Sequence, residues 1–161
     1  IEVLTLGRRG LKDDLELVMD GSTNQVVGIR FANITIPQGR TIQRAWIQFT
    51  TDETQSEATS LTLQVQAIDS APTFTSASND ISSRARTGSV LWTGIPIWTT
   101  VGQSGPSQQT PEIKSLIQAV VSRPGWSSGN ALVIVITGTG HRTAVSFDGI
   151  SAAASLLHIE Y

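Results

Sequence analysis

Cysteine is absent from this 161-residue sequence, so no disulfide framework holds the fold and the redox compartment cannot be read from thiols. Charge is scarce as well: Asp, Glu, Lys and Arg make up 15% of the residues and the net charge at pH 7 is -2. No stretch is rich in Lys or Arg, which removes the electrostatic attraction to phosphate that nucleic-acid binding relies on. The longest apolar run, Ala131 to Ile136, falls far short of the roughly 20 residues that a helical membrane span needs. His141 and His158 are the only histidines, and without cysteine they make a poor zinc set. Phosphate-binding glycine loops are missing, and the one tyrosine is Tyr161. The acids Asp13, Asp14, Asp52, Glu53 and Glu57 offer carboxylates, but a glycosidase needs two held across a cleft. The expectation is a protein that is not an enzyme.

What is present is Ser, Thr, Gln and Asn in quantity, a surface common in secreted β-rich modules. The length fits one domain, residues 1–161, able to bury a core without a metal or disulfide. A strand-like start (Glu2 to Thr5) and finish (Leu156 to Tyr161), with no initiator Met, suggest a monomeric module excised from a larger multidomain protein, its two end strands side by side.

The stretch Gln25 to Thr51 carries the clearest pattern. Val27, Ile29 and Phe31, then Ala45, Ile47 and Phe49, alternate with Arg30, Arg44, Trp46 and Gln48 across a break at Pro37-Gln38-Gly39. Period two predicts two half-buried strands whose outer row is Arg30, Arg44, Trp46 and Gln48. In Asp14 to Asp20 the alternation points Leu15, Leu17 and Met19 inward and Asp14, Glu16 and Val18 outward. A hairpin with the next strand would bring Glu16 to Arg30. Leu61, Leu63, Val65 and Ala67 point inward, leaving Gln64 and Gln66 outward, near Trp46 if consecutive strands are neighbours.

Thr110-Pro111-Glu112 opens the one convincing helix, with Thr110 as N-cap, Pro111 at the first helical position and Ile113, Leu116, Ile117, Val120 and Val121 at helical spacing. It stops at Pro124-Gly125, where Trp126 locks the turn into the core. Trp92 reads as core, whereas Trp98 sits in the long Gly/Pro-punctuated loop Thr93 to Gln109, where an aromatic can project at a rim. Frequent turns and a single plugging helix predict an all-β antiparallel β-sandwich, a jelly roll of about nine strands.

The order Gly28-Ile29-Arg30-Phe31, Ile36-Pro37-Gln38-Gly39, long strand, and later Pro124-Gly125-Trp126, Gly129-Asn130, strand, resembles the secreted bacterial modules of the DNRLRE type. The closing Ser146-Phe147-Asp148-Gly149 and Leu156 to Tyr161 resemble that family's last pair of strands. The resemblance implies a jelly roll on an extracellular bacterial protein. Because some such modules bind carbohydrate, alginate included, it also implies a polysaccharide-binding appendage to a catalytic domain. It transfers no binding residue.

From the residues themselves, Trp46 is the leading ligand contact, since a planar indole on a sheet face stacks on the apolar face of a sugar ring. Gln48, Gln64 and Gln66 would add directional hydrogen bonds, and Arg30 and Arg44 would suit a uronate or sulfate. Trp98 marks a rival site. Jelly-roll modules often hold a structural Ca²⁺, for which Asp52, Glu53, Asp69, Asp80 and Asp148 are loop-end candidates without diagnostic spacing. The alternative function is a structural or adhesion module contacting neighbouring domains.

Overall fold

A computed structural model describes residues 3–4 and 14–161. The turn expected at Gly7-Arg8-Arg9-Gly10 and the carboxylate of Asp13 lie outside the described residues. In chain order the strands are β1 (Val3–Leu4), β2 (Asp14–Leu17), β3 (Met19–Asp20), β4 (Thr23–Asn24), β5 (Val27–Phe31) and β6 (Arg44–Gln48). They continue with β7 (Thr51–Glu53), β8 (Ser60–Gln66), β9 (Arg86–Trp92), β10 (Leu132–Thr139), β11 (Arg142–Val145) and β12 (Leu156–Glu160), with one α-helix, α1 (Lys114–Val121), before β10. The segments outnumber those expected because β3 and β4 form a two-residue ribbon and two long strands are each broken in two.

The chain is an all-β antiparallel sandwich. Its first sheet has the order β1-β5-β10-β8-β9. The second is built on residues 44–53, whose two edges are both occupied. Even-numbered residues of β6 pair with β12, and Val145 of β11 donates its N–H to Thr50 O at 2.9 Å on the same edge. β11 and β12 therefore run end to end along β7 and β6, interrupted by residues 146–155, and β2 flanks β11. On the other edge, Phe49 N–H donates to Gln108 O (2.9 Å), Thr110 N–H to Ile47 O (3.0 Å) and Ile113 N–H to Ala45 O (2.8 Å). The chain thus crosses between the sheets at β5 to β6, β7 to β8 and β10 to β11, and the spatial orders β5-β10-β8-β9 and β2-β11-β7 are those of a jelly roll.

Between the sheets lie Leu15, Leu17, Ile29, Phe31, Ala45, Ile47, Phe49, Leu61, Leu63, Val65, Ile134 and Ile136, all buried. Trp92 stacks on Phe49 with ring centroids 5.9 Å apart, and Trp126 donates its indole N–H to Ile36 O at 2.9 Å, both buried as expected. Helix α1 plugs one side through Leu116, Ile117, Val120 and Val121. It starts at Lys114 and not in the Thr110-Pro111 turn, because residues up to Ile113 are still bonded to the edge of β6. The Thr110 hydroxyl accepts Ile47 N–H (2.9 Å) instead of capping, and Glu112 Oε1 accepts both Ala45 N–H (2.7 Å) and Lys114 N–H (2.9 Å).

Three expectations need correction. Val18, expected outside, is fully buried at a left-handed φ of 72°, which breaks the alternation between β2 and β3. β2 pairs with β11, so Glu16 is in the second sheet and Arg30 in the first, and no Glu16–Arg30 hairpin pair forms. The terminal strands are not side by side: β1 pairs with β5 and β12 with β6.

The outer face of the first sheet is not open. The loop between β8 and β9 folds over it, seating Ala71 and Phe74 on Val133 and Val135, with Ile68 and Ile81 alongside. Arg84 ties that roof down, donating to Gln66 Oε1 (3.0 Å), Pro72 O (3.0 Å), Thr73 O (2.9 Å) and Asp80 Oδ2 (3.0 Å) beneath the Phe74 ring. Gly28 makes the seating possible, since a Cβ there would lie 2.8 Å from Phe74 Cζ. Gly28→Val should overpack this contact and cost about 1–3 kcal/mol, read as a lower urea midpoint with earlier proteolysis within residues 68–85. The Asp80 carboxyl is held below its ordinary value: burial, which would raise it, is outweighed by the Thr75 N–H and by Arg84. A depressed carboxyl stabilises above its unfolded value and loses that stabilisation as pH falls through the folded one. Thermal stability should therefore decline in acid from about pH 4 downward, and Asp80→Asn should flatten that decline.

Candidate functional site

The solvent-facing side of the β6–β12 ladder brings together six side chains. Register sets Arg44 opposite Glu160, Trp46 opposite His158 and Gln48 opposite Leu156. Alternation in β6 buries Ala45 and Ile47, leaving Trp46 half-buried and Arg44 exposed. β12 does the same, burying Leu157 and exposing Leu156, His158 and Glu160. Trp46 thus stands on an outer sheet face as its sequence pattern predicts.

The indole is not a bare platform. The His158 imidazole stacks on it with centroids 4.9 Å apart and planes 7° from parallel, and the Arg44 guanidinium carbon lies 4.9 Å from its centroid. Arg44 also reaches Glu160 Oε1 at 3.5 Å, with both side chains at least half exposed (58% and 50%). An exposed pair at that distance holds Arg44 weakly, so its charge is available to an incoming anion at little cost. Gln48 is pinned at the far end, its amide donating to Gly105 O (3.0 Å) and Phe49 O (3.2 Å).

The other expected contacts lie elsewhere. Gln64 and Gln66 belong to β8 in the first sheet, because the chain crosses from one sheet to the other between β7 and β8, so β8 is not a neighbour of β6. Gln66 is buried under the roof against Arg84, and Gln64 donates to Gly88 O at 3.2 Å. Arg30 is also in the first sheet, its Nε donating to Ala71 O at 3.0 Å. Trp98 does not project at a rim: it is 1% exposed, packs near Phe49 and donates its indole N–H to Ser107 O at 2.9 Å. Two backbone hydrogen bonds with Gln55 (3.0 and 3.1 Å) fold the loop back and turn this ring into the core. His158, Glu160 and Leu156 were missed as members of the face. Their alternation was visible in the last strand, but its pairing with β6 was not.

A second polar cluster lies on β2 and β11. Glu16 Oε2 meets His141 Nε2 and accepts from the Thr143 hydroxyl (2.8 Å), while Gln55 Nε2 donates to Thr143 Oγ1 (2.7 Å). Hydroxyl, imidazole and carboxylate are adjacent, but the carboxylate and the hydroxyl both approach the same imidazole nitrogen, Nε2. A nucleophilic triad needs the acid and the hydroxyl on opposite nitrogens, and Thr143 is wholly buried. The cluster ties β2, β11 and the 53–55 segment together.

Two of the acids considered for Ca²⁺ are engaged by arginines. Asp69 is paired with Arg123 and Asp80 with Arg84, and among the described residues no three of His, Asp and Glu lie together as cation ligands.

The cross-strand stack has a measurable signature. A double-mutant cycle of Trp46→Ala and His158→Ala should give a favourable coupling of about 0.5–1 kcal/mol in urea unfolding. A coupling of zero would mean the two rings do not hold each other.

No family model matches this sequence, and a search of curated proteins returns no significant match.

Proposed function

We propose that this domain is a non-catalytic carbohydrate-binding module that holds an appended catalytic domain on an extracellular, anionic polysaccharide. The observation that carries the reading is the outer row of β6 and β12: an aromatic pair, Trp46 and His158, standing on a solvent-facing sheet beside a weakly held arginine. Rings supply apolar contact to sugar C–H faces, and Arg44 supplies a charge-assisted fork for a carboxylate or sulfate. With Gln64, Gln66, Arg30 and Trp98 engaged elsewhere, the binding role rests on Trp46, His158, Arg44, Gln48 and Glu160. Tethering on polymer raises the effective concentration of whatever activity shares the chain. The DNRLRE-type resemblance agrees with this reading, which includes the secreted bacterial origin that the resemblance implies.

Exposed Leu156, at 44%, favours a second reading, in which the same face meets a neighbouring protein domain. Affinity electrophoresis in gels carrying a polyuronate or a neutral glucan separates the two. The domain should be retarded by the polyuronate, and Trp46→Ala should weaken binding roughly fivefold, equivalent to about 1 kcal/mol, while keeping the wild-type far-UV spectrum. Retardation by no glycan would leave the protein-contact reading standing.

A further inference from the structure

Of the arginines among the described residues, Arg40 alone has a guanidinium that makes no hydrogen bond. Arg30 and Arg86 are held by backbone carbonyls, Arg44 and Arg123 by carboxylates, Arg84 by the roof loop, and Arg142 by five acceptors at the end of the sandwich. The Arg40 backbone, by contrast, is fixed: its N–H donates to Pro37 O (3.3 Å) and its carbonyl accepts from Gln118 Nε2 (3.0 Å). Its side chain rests 5.8 Å from the centroid of the Tyr161 ring. Around it Gly39, Thr41, Gln43 and Tyr161 line a hollow of about 350 Å³. The free guanidinium thus stands on an anchored backbone beside an aromatic ring.

The hollow is at the end of the β6–β12 ladder. Gln43 N–H donates to Glu160 O at 2.8 Å, and Tyr161 follows Glu160, the partner of Arg44. Tyr161 is itself tied to Thr35 O through its hydroxyl (3.3 Å). Arg40 and Arg44 are four residues apart, so their Cα atoms are separated by at most about 14 Å. The end of the ladder therefore carries two units of the same make, a guanidinium on an aromatic ring: Arg44 on Trp46 and Arg40 on Tyr161.

We propose that the Arg40–Tyr161 hollow is a second subsite for an acidic sugar unit, so that one glycan chain engages both guanidinium–aromatic pairs as it runs off the end of β6. The inference rests on the carbohydrate-binding reading above and specifies its ligand as an oligomer with repeated carboxylates or sulfates. A single acidic sugar fills one pair, and a short oligomer spans two. Two linked contacts on one chain raise affinity steeply with chain length. Neutral oligosaccharides leave Arg40 without a partner and gain nothing from it.

Calorimetric titration of the whole domain tests this, using a monouronate, a tetrauronate, a sulfated tetrasaccharide and a neutral tetrasaccharide. The tetrauronate or the sulfated chain should bind well above the monomer, and which of the two does so identifies the anion. Arg40→Ala should lower the affinity for that tetramer about tenfold while leaving the monomer unchanged, and Arg40→Lys should recover part of the loss. Tetramer binding that is lost in Trp46→Ala but untouched in Arg40→Ala overturns the second subsite alone. Binding of the neutral chain as tightly as the charged ones also overturns it. Failure of the unaltered domain to bind any of the four overturns both this inference and the function it rests on.

Discussion

Residues 44–53 are hydrogen-bonded along both edges, and the rest of the structure depends on that constraint. Odd-numbered amides of this stretch face the 103–113 segment and even-numbered residues face β11 and β12. Side chains alternate with a period of two, so a slip of one residue would send Ala45, Ile47 and Phe49 to solvent and Trp46 into the core. Two bonded edges and three buried apolar side chains oppose that slip together. Phe49 raises the cost further, since both Trp92 and Trp98 pack around it.

The same constraint explains why the two faces of the sandwich differ in use. The first sheet hides its outer surface beneath the 68–85 loop, which has its own apolar cluster and is drawn in by Arg84. The second sheet keeps Arg44, Trp46, His158 and Glu160 at the surface, each with a neighbour that shapes it but none that encloses it. At the opposite end of this sheet, Arg142 shows what full enclosure of a cation demands. It is 1% exposed and satisfies its guanidinium with the carbonyls of Ile95, Pro96, Glu57 and His141 and the Thr59 hydroxyl. Burial pushes its pKa down from the usual arginine value, opposed by nearby Glu57. The Arg40 guanidinium, with none of these partners, depends on solvent or ligand for its hydrogen bonds.

Much of the fold was legible because the signals involved are local. Alternation in 27–31, 44–48 and 61–66 marked strands, helical spacing from Ile113 to Val121 marked α1, and Trp92 and Trp126 read as core. Pairing was not legible, because a strand's pattern says which side chains share a face and nothing about which strand lies beside it. The chain changes sheets between β7 and β8, so the neighbour assumption placed Gln64 and Gln66 next to Trp46 when they lie in the other sheet. Trp98 and Thr110 misled for a related reason. Loop composition and an N-cap motif are local readings, and both residues are governed by hydrogen bonds to Gln55 and Ile47, distant in sequence. The half of the site on β12 was hidden by the same ignorance of pairing.

The excursion at residues 146–155 leaves the second sheet between the partners of Thr50 and Gln48, and the line of β11 resumes in β12 as if uninterrupted. Because both sides of the gap are bonded to the same 44–53 segment, the length of this insert is uncoupled from the sheet's register. The molecule thus owns a stretch that can lengthen or shorten between its ends, which buried Ser146, Ala154 and Ser155 and core-packed Phe147 hold in place, while the scaffold beneath stays as it is.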